Sequence, residues 1–194
     1  MPPSMLKSLS VTEEKLLQKR VVLLYDSINP NSVEELSQKF LYLATNSAEP
    51  ITFFINSSGG RVIDTLALHD LIINLPLEVR TVGLGVVASM AVLLLASGKR
   101  GQRYLFPNTT IHIHLPFGRT EIEGTKIEET ADEVLRISQK TGRLLEKYSE
   151  NKLILAKLPK EGLVIDSEAA ISKYGLSDHI ISGKTLSSLL KVKK

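Results

Sequence analysis

The sequence predicts an α/β fold with a mainly parallel sheet flanked by helices, and three observations carry that prediction. Short β-branched or aliphatic runs alternate three times with helical patterns between Arg20 and Ser97, the signature of strand–helix–strand units with right-handed crossovers. Turn-forming residues stand at the boundaries: Asn29-Pro30-Asn31, Ser57-Ser58-Gly59-Gly60 and Pro76. The stretch Ser89–Ser97 is apolar on nearly every side, which only a helix buried between layers accommodates.

Taken in order, Arg20–Tyr25 (RVVLLY) reads as the first strand. Ser32 with Glu35 forms a capping-box pattern, and Val33, Leu36, Phe40 and Leu43 follow on one helical stripe. Pro50 precedes a buried-strand run, Ile51–Ile55. After the Ser-Ser-Gly-Gly turn a second helix presents Leu68, Leu71, Ile72 and Leu75. The third pass predicts a strand over Val79–Leu84, a turn over Gly85–Ala88 and the buried helix Ser89–Ser97, stopped by Gly98. Residues 102–106 and 110–114 read as short strands separated by Pro107-Asn108. Thr125–Tyr148 is the longest helical pattern, with Ile127, Ala131, Val134, Leu145 and Tyr148 along its apolar side. A helix over Ser167–Lys173, ended by Gly175, and a strand over Ser177–Ile181 complete the pattern.

A chain of 194 residues, 43% hydrophobic and 23% charged, is sized for one compact domain. The net charge of +3 arises from 24 basic residues interspersed with 21 acidic ones. No basic field marks a nucleic-acid surface, and Lys191–Lys194 reads as a solvated tail. The absence of cysteine excludes a thiol nucleophile, disulfides and thiolate metal sites, and fits a cytoplasmic location. MPPSMLKSLSVTEEK has no apolar signal core, and the longest apolar run, Val82–Ala96, is too short and too glycine-interrupted for a bilayer span. Neither secretion nor membrane insertion is expected.

Two strand–turn–helix junctions, INSSGG at 55–60 and GVVASMA at 85–91, bring loop residues to the carboxyl ends of strands, where open α/β sheets bind ligands. Glycine pairs leave amides unobstructed, and amides at a helix start lack intrahelical partners. Acyl transfer needs a nucleophilic oxygen, a base and two such donors. Ser89 fits the first role, with Gly60 and Met90 as the donors. Serine is equally a preferred helix cap. His112 and His114 alternate on one strand and share a face, so either suits the general base. One strand supplies only two metal ligands, and no third stands at a recognisable spacing, so no metal is expected. His69 and His179 fit a helix surface or a turn.

The segments INSSGGRV, GVVASMA and PNTTIHIHLPFG together resemble the signature blocks of the Clp protease proteolytic subunit family, which run approximately INSPGGxV, GxAASMG and PNxxxMIHQP. The resemblance extends from about Arg20 to Ile181 and includes EAAISKYGLSDHI. It implies a Clp/crotonase-like fold of repeated β-β-α/β-α units, with a protruding helix-and-strand handle at about 117–150. The peptidase domain would span 20–183, with an N-terminal segment at 1–19, flexible or axial, and a basic tail at 184–194. It further implies that Ser89 is the nucleophile and that His114, which directly precedes Leu115-Pro116, is the base. Gly60 and Met90 would supply the oxyanion amides, and substrate would add as a strand beside Gly60, Arg61 and Val62, along Gly60–Ile63.

The family's third catalytic member, an aspartate, falls by ungapped counting from Tyr174 on Leu163. Glu161 and Asp166 are the nearest carboxylates in sequence, and Asp166 is also placed to cap the following helix. Other departures are Ser58 for proline, Ala91 for glycine, Leu115 for glutamine and Arg119 for glycine. The implied activity is that of a serine endopeptidase in two stacked heptameric rings, fed unfolded polypeptides by an AAA+ Clp unfoldase. No cofactor would be held by the chain itself, ATP being consumed by the unfoldase. Two other readings stay open. One is a weakly active or inactive subunit in mixed rings with an active paralogue; the other is an acyl-CoA enzyme of crotonase type, against which the Ser89–His114 pair argues.

Overall fold

The computed structural model describes residues 10–114, 127–150, 152–154, 158–159 and 161–191, without the side chains of 127–135 and 138. A helix α1 (Val11–Gln18) precedes the first strand, β1 (Val21–Leu24). Ser10 caps α1, its hydroxyl accepting from the Glu13 amide while the Glu13 carboxylate accepts from the Ser10 amide. The amphipathic helix α2 spans Pro30–Asn46 and buries Val33, Leu36, Phe40 and Leu43, the predicted stripe. Its cap is Asn29 rather than Ser32. The Asn29 side chain accepts from the amides of Asn31 (3.0 Å) and Ser32 (3.1 Å), and the Ser32 hydroxyl accepts in return from the Asn29 amide at 3.0 Å. Pro30 starts the helix because its missing N–H is one that no helical carbonyl would have bonded.

Strand β2 (Ile51–Ser57), helix α3 (Val62–Asn74), strand β3 (Val79–Ala88) and helix α4 (Met90–Ala96) follow, then β4 (Arg103–Leu105) and β5 (Thr110–Ile113). The long helix α5 covers Ile127–Tyr148; the segment 115–126, which holds Leu115, Pro116, Arg119 and the first part of the expected handle, lies outside the described residues. The chain continues through β6 (Leu163–Ile165), α6 (Ser167–Ser172), β7 (His179–Ile180) and α7 (Gly183–Leu189).

The sheet order is β1-β2-β3-β4-β7, with β5 also beside β3 and β6 beside β5. Every pairing is parallel except β5 with β6, so the mainly parallel sheet holds. Strand β3 departs from expectation in its length. The predicted turn at Gly85–Ala88 is strand, and β3 serves two neighbours in succession: Thr81–Gly83 pair with β4, and Val86–Ala88 pair with β5. The change of partner falls at Gly85, whose φ of +62° suits glycine, opposite a register shift between Ile55 and Ser57 on β2. Asn56 spans this irregularity, its side-chain oxygen accepting from the Val86 amide at 3.1 Å. The bend carries the end of β3 to β5 and so sets the position of residue 89.

Alternate residues of the strands feed two hydrophobic clusters, one on each face. Val22, Leu24, Ile51, Phe53 and Ile55 join all seven residues of α4 in the main core. Val21, Phe54 and Val82 join Ile181 and Leu189 on the other face, under partial cover from α1 and α7. Helix α4 is buried on every side, as its composition requires. Phe40 and Phe53 meet edge to face at 5.2 Å between α2 and β2.

His69 corrects the sequence expectation of a surface position. It is 1% exposed on α3, with Nε2 2.7 Å from the Tyr148 hydroxyl and Nδ1 2.8 Å from Asp70 Oδ1, tying α3 to the end of α5. His179 on β7 is exposed, its ring against Tyr104. Among the described residues no helix is long and apolar enough to cross a membrane.

Candidate active site

The first junction is built at the end of β2. The Ser57 hydroxyl donates to the Asp26 carbonyl at 2.6 Å and accepts from the Gly59 amide at 3.1 Å, folding the chain back on itself. Gly59 then takes φ +91°, in the region that L side chains rarely adopt. Beyond it, Gly60 forms a parallel bridge with Ile28: the Ile28 amide donates to the Gly59 carbonyl at 2.8 Å, and the Arg61 amide to the Ile28 carbonyl at 2.9 Å. A side chain at Gly60 would run into the Ile28 backbone. The Gly60 amide donates no hydrogen bond among the described residues.

This extended stretch is shorter than expected. Arg61 caps α3 in extended conformation and pairs with Asp64 at 3.3 Å, and Val62 is already the first helical residue. Only Gly60 and Arg61 therefore present strand-like backbone beside the turn; Val62 and Ile63 already have helical backbone, with their amides in the open first turn of α3.

The second junction stands against the first. A Cβ placed on Gly59 would lie 2.7 Å from the Ala88 carbonyl oxygen, 2.8 Å from Ser89 Cβ and 2.9 Å from the Met90 nitrogen. The two junctions, separate in sequence, are thus in van der Waals contact. Ser89 is the single residue between β3 and α4, with φ 54° and ψ −126°, one of few non-glycine residues at positive φ. It occupies the helix cap position, yet its side chain makes no capping hydrogen bond, so the structural alternative for this serine fails. Its amide donates to the His112 carbonyl at 2.8 Å and its carbonyl accepts from the Val92 amide at 3.1 Å. The Met90 amide, in the open first turn of α4, donates no hydrogen bond among the described residues.

Strand β5 brings the histidines. Its parallel register with β3, Val86 with Thr110 through Ala88 with His112, runs directly into Ser89. His114 lies two residues past that last pair and, like Ser89, is half-buried. The rings of His112 and His114 face one another at 5.3 Å between centroids and 53° between planes, which places both on one face as the alternation predicts.

The residues considered for a third catalytic member lie around β6. Leu163, which motif counting puts in the aspartate's place, pairs with Ile113 across β5–β6 and packs against the main core. Asp166 caps α6, its Oδ1 accepting from the Ala169 amide at 2.8 Å. Glu161 is exposed in the turn before Gly162. Gly162 itself closes on the histidines: a Cβ there would lie 3.0 Å from His114 Cβ and 3.1 Å from His112 Nε2. Neither β6 nor the role of Gly162 is expected from the sequence. A three-residue strand carries too little periodicity to read, though a glycine just before it is an available signal. Among the described residues no group of three His, Asp or Glu side chains could hold a metal ion.

The arrangement sets a serine hydroxyl not used for capping, a neighbouring strand bearing two imidazoles, and two undonated amides around one strand end. A family model described as Clp protease matches residues 7–184 of the chain.

Proposed function

The chain belongs to the Clp protease family and is a peptidase of that type; from that premise we propose that it is a serine endopeptidase in which Ser89 is the nucleophile and His114 the general base. In the acylation step a His114 ring nitrogen takes the proton from Ser89 Oγ as the oxygen bonds to the substrate carbonyl carbon. The negative charge that develops on the carbonyl oxygen is met by the amides of Gly60 and Met90. Collapse of this intermediate breaks the C–N bond, and His114 returns its proton to the departing amine. Water, deprotonated by His114, then releases the acid product and regenerates the serine. A substrate strand would add beside the extended backbone at Gly60, Arg61 and Val62. The Arg61 amide and carbonyl are engaged by Ile28 and Thr65, so the main-chain groups it would meet are those of Gly60 and the Val62 amide, a mode that gives broad tolerance of sequence.

The observation that carries this reading is the backbone of Ser89. A non-glycine residue in a sparsely populated conformation costs on the order of 1–3 kcal/mol and persists where the surroundings over-determine it. Here Ser89 makes no capping hydrogen bond to the helix it precedes, and it stands between the Gly59–Gly60 turn and β5. The further elements of the proposal follow the family: two stacked heptameric rings, an AAA+ Clp unfoldase that consumes ATP, unfolded polypeptides as substrates, a cytoplasmic location, and no cofactor bound by this chain. The family assignment leaves the acyl-CoA alternative without support.

The test is cleavage of a fluorogenic peptide together with labelling by a fluorophosphonate probe. Wild-type protein should be labelled at Ser89 and cleave. Ser89→Ala should lose labelling, and its turnover should fall by about 10⁴- to 10⁶-fold. Turnover that survives in Ser89→Ala would remove the assignment. A second reading, a weakly active subunit in mixed rings, is favoured by Leu163 in the aspartate's place. It expects labelling without appreciable turnover until an active paralogue is added.

A further inference from the structure

The geometry points to Arg61 as a residue that selects substrates, favouring a peptide with an acidic side chain at the second residue from the cleaved bond; this deepens the peptidase proposal and rests on it. The signature block INSPGGxV leaves this position open, so the positive charge here is a property of this chain.

Arg61 stands one residue after the proposed oxyanion donor Gly60, in extended conformation with φ −66° and ψ 130°. Its own backbone is engaged, the amide donating to the Ile28 carbonyl at 2.9 Å and the carbonyl accepting from the Thr65 amide at 3.0 Å. The amide and carbonyl of Gly60 and the amide of Val62 make no hydrogen bond among the described residues. An added strand would therefore bond at 60 and 62 and carry a residue directly across from 61.

The Arg61 side chain suits an anion. Its Nε lies 3.3 Å from Asp64 Oδ2, an ion pair without a hydrogen bond, since that buried oxygen accepts none. The contact holds one edge of the guanidinium at the start of α3. The two terminal nitrogens donate to nothing among the described residues. The arginine side chain is 64% exposed and that of Asp64 16%, so an approaching chain meets the cation rather than its counter-ion. A guanidinium presents paired N–H donors that match the two oxygens of a carboxylate.

The register decides which substrate residue is read. As the oxyanion role requires, the Gly60 amide bonds the carbonyl oxygen at the bond to be cleaved. In an antiparallel pair the residue contributing that oxygen stands opposite Gly60, and the residue before it stands opposite Arg61. In a parallel pair, the pattern that Ile28 and Gly60 already show, the oxygen belongs to the residue before the one opposite Gly60. Arg61 then faces the second residue after the cleaved bond. Directly opposed side chains share a face with Cβ atoms about 4.5–5.5 Å apart, within reach of an ion pair. Either direction places the acidic residue second from the bond, on the acyl side or on the leaving side.

The test uses the assembled full-length protein and quenched fluorogenic peptides, identical except for Glu or Gln at the second residue on the acyl side or on the leaving side. An exposed ion pair contributes up to about 5-fold, so kcat/KM with Glu should exceed that with Gln by about 3- to 5-fold at one of these positions. The margin should shrink as salt is raised. The position that responds gives the direction of the strand. In Arg61→Gln the preference should disappear. If that variant does not fold, because Asp64 has lost its partner, Arg61→Gln combined with Asp64→Asn takes its place with the same expectation. Wild-type protein that cleaves with no preference for Glu at either position would overturn the inference and leave the peptidase assignment intact. A preference that survives in the variant would overturn it too, since another group would then be its source. Wild-type protein that neither cleaves nor is labelled at Ser89 would remove the peptidase proposal and this inference together.

Discussion

Replacing Gly59 by alanine tests whether the contact between the two turns is what shapes the site. Two costs arise. At φ +91° an L residue is strained, about 1–2 kcal/mol for this side of the map. The new methyl would also lie 2.7 Å from the Ala88 oxygen, 2.8 Å from Ser89 Cβ and 2.9 Å from the Met90 nitrogen. All three distances are below 3.0 Å, under which something must shift, and all but Ser89 Cβ are backbone atoms. Overpacking of this kind costs about 1–3 kcal/mol. If the turns hold their places, stability falls by about 2–5 kcal/mol, the two costs taken together; if they part instead, stability is spared and Ser89 moves relative to the Gly60 amide. A displacement approaching about 1 Å costs on the order of 10² in rate. Urea unfolding and peptide turnover on the same preparation read both quantities, and at least one must drop. A Gly59→Ala protein with wild-type urea midpoint and wild-type turnover would refute the geometry from which the whole site is built.

Two further outcomes follow from the same contacts. Asp166→Ala should cost about 1 kcal/mol in urea unfolding, the loss of a helix cap, with turnover unchanged; turnover slowed by about 10²-fold or more, the size of a general-base contribution, would make Asp166 part of the machinery. Asp178 and Arg103 are 14% and 4% exposed at the side chain and bonded at 2.6 and 3.0 Å. Burial alone would raise the Asp178 carboxyl, but the Arg103 guanidinium and the amides of Arg103 and Gly101 hold it below the usual carboxylate range. A depressed pKa contributes stability that is present above the unfolded value of about 3.9 and is lost as pH falls through the folded value. The urea midpoint should therefore be insensitive to this pair from about pH 7 to 5 and fall below about pH 4. Asp178→Ala should cost about 3–5 kcal/mol at neutral pH, because Arg103 is left buried without its partner, and should show a shallower acid decline. A neutral-pH midpoint equal to that of the wild type would contradict this account.

The parallel sheet and its helices were legible because each layer left a periodic mark. The stripe Val33, Leu36, Phe40 and Leu43 has one face to bury, and Met90–Ala96 has none to expose. Where local and tertiary preferences compete, the sequence misleads. Gly85–Ala88 looks like a turn because it is small and glycine-led, yet β5 draws Val86–Ala88 into the sheet as strand. Ser32 has the right spacing for a capping box, but Asn29 with Pro30 wins because proline can begin a helix at no hydrogen-bond cost. His69 stands between Leu68 and Ile72 on a helix whose burial depends on Tyr148, 79 residues away, and no local pattern announces such a partner.

The site was legible only in part, for a related reason. Ser89 in its sequence is indistinguishable from a cap, since both roles need a small hydroxyl residue at a helix start. What separates them is φ, and the backbone at 89 is held by its surroundings: the His112 carbonyl accepts its amide, its carbonyl accepts the Val92 amide, and Gly59 packs against Ser89 Cβ and the Met90 nitrogen. The strain at one residue is thus sustained by β5, α4 and the glycine turn together. Because the strand whose His112 carbonyl holds the Ser89 amide also carries His114, a shift of β5 moves the proposed nucleophile and base together.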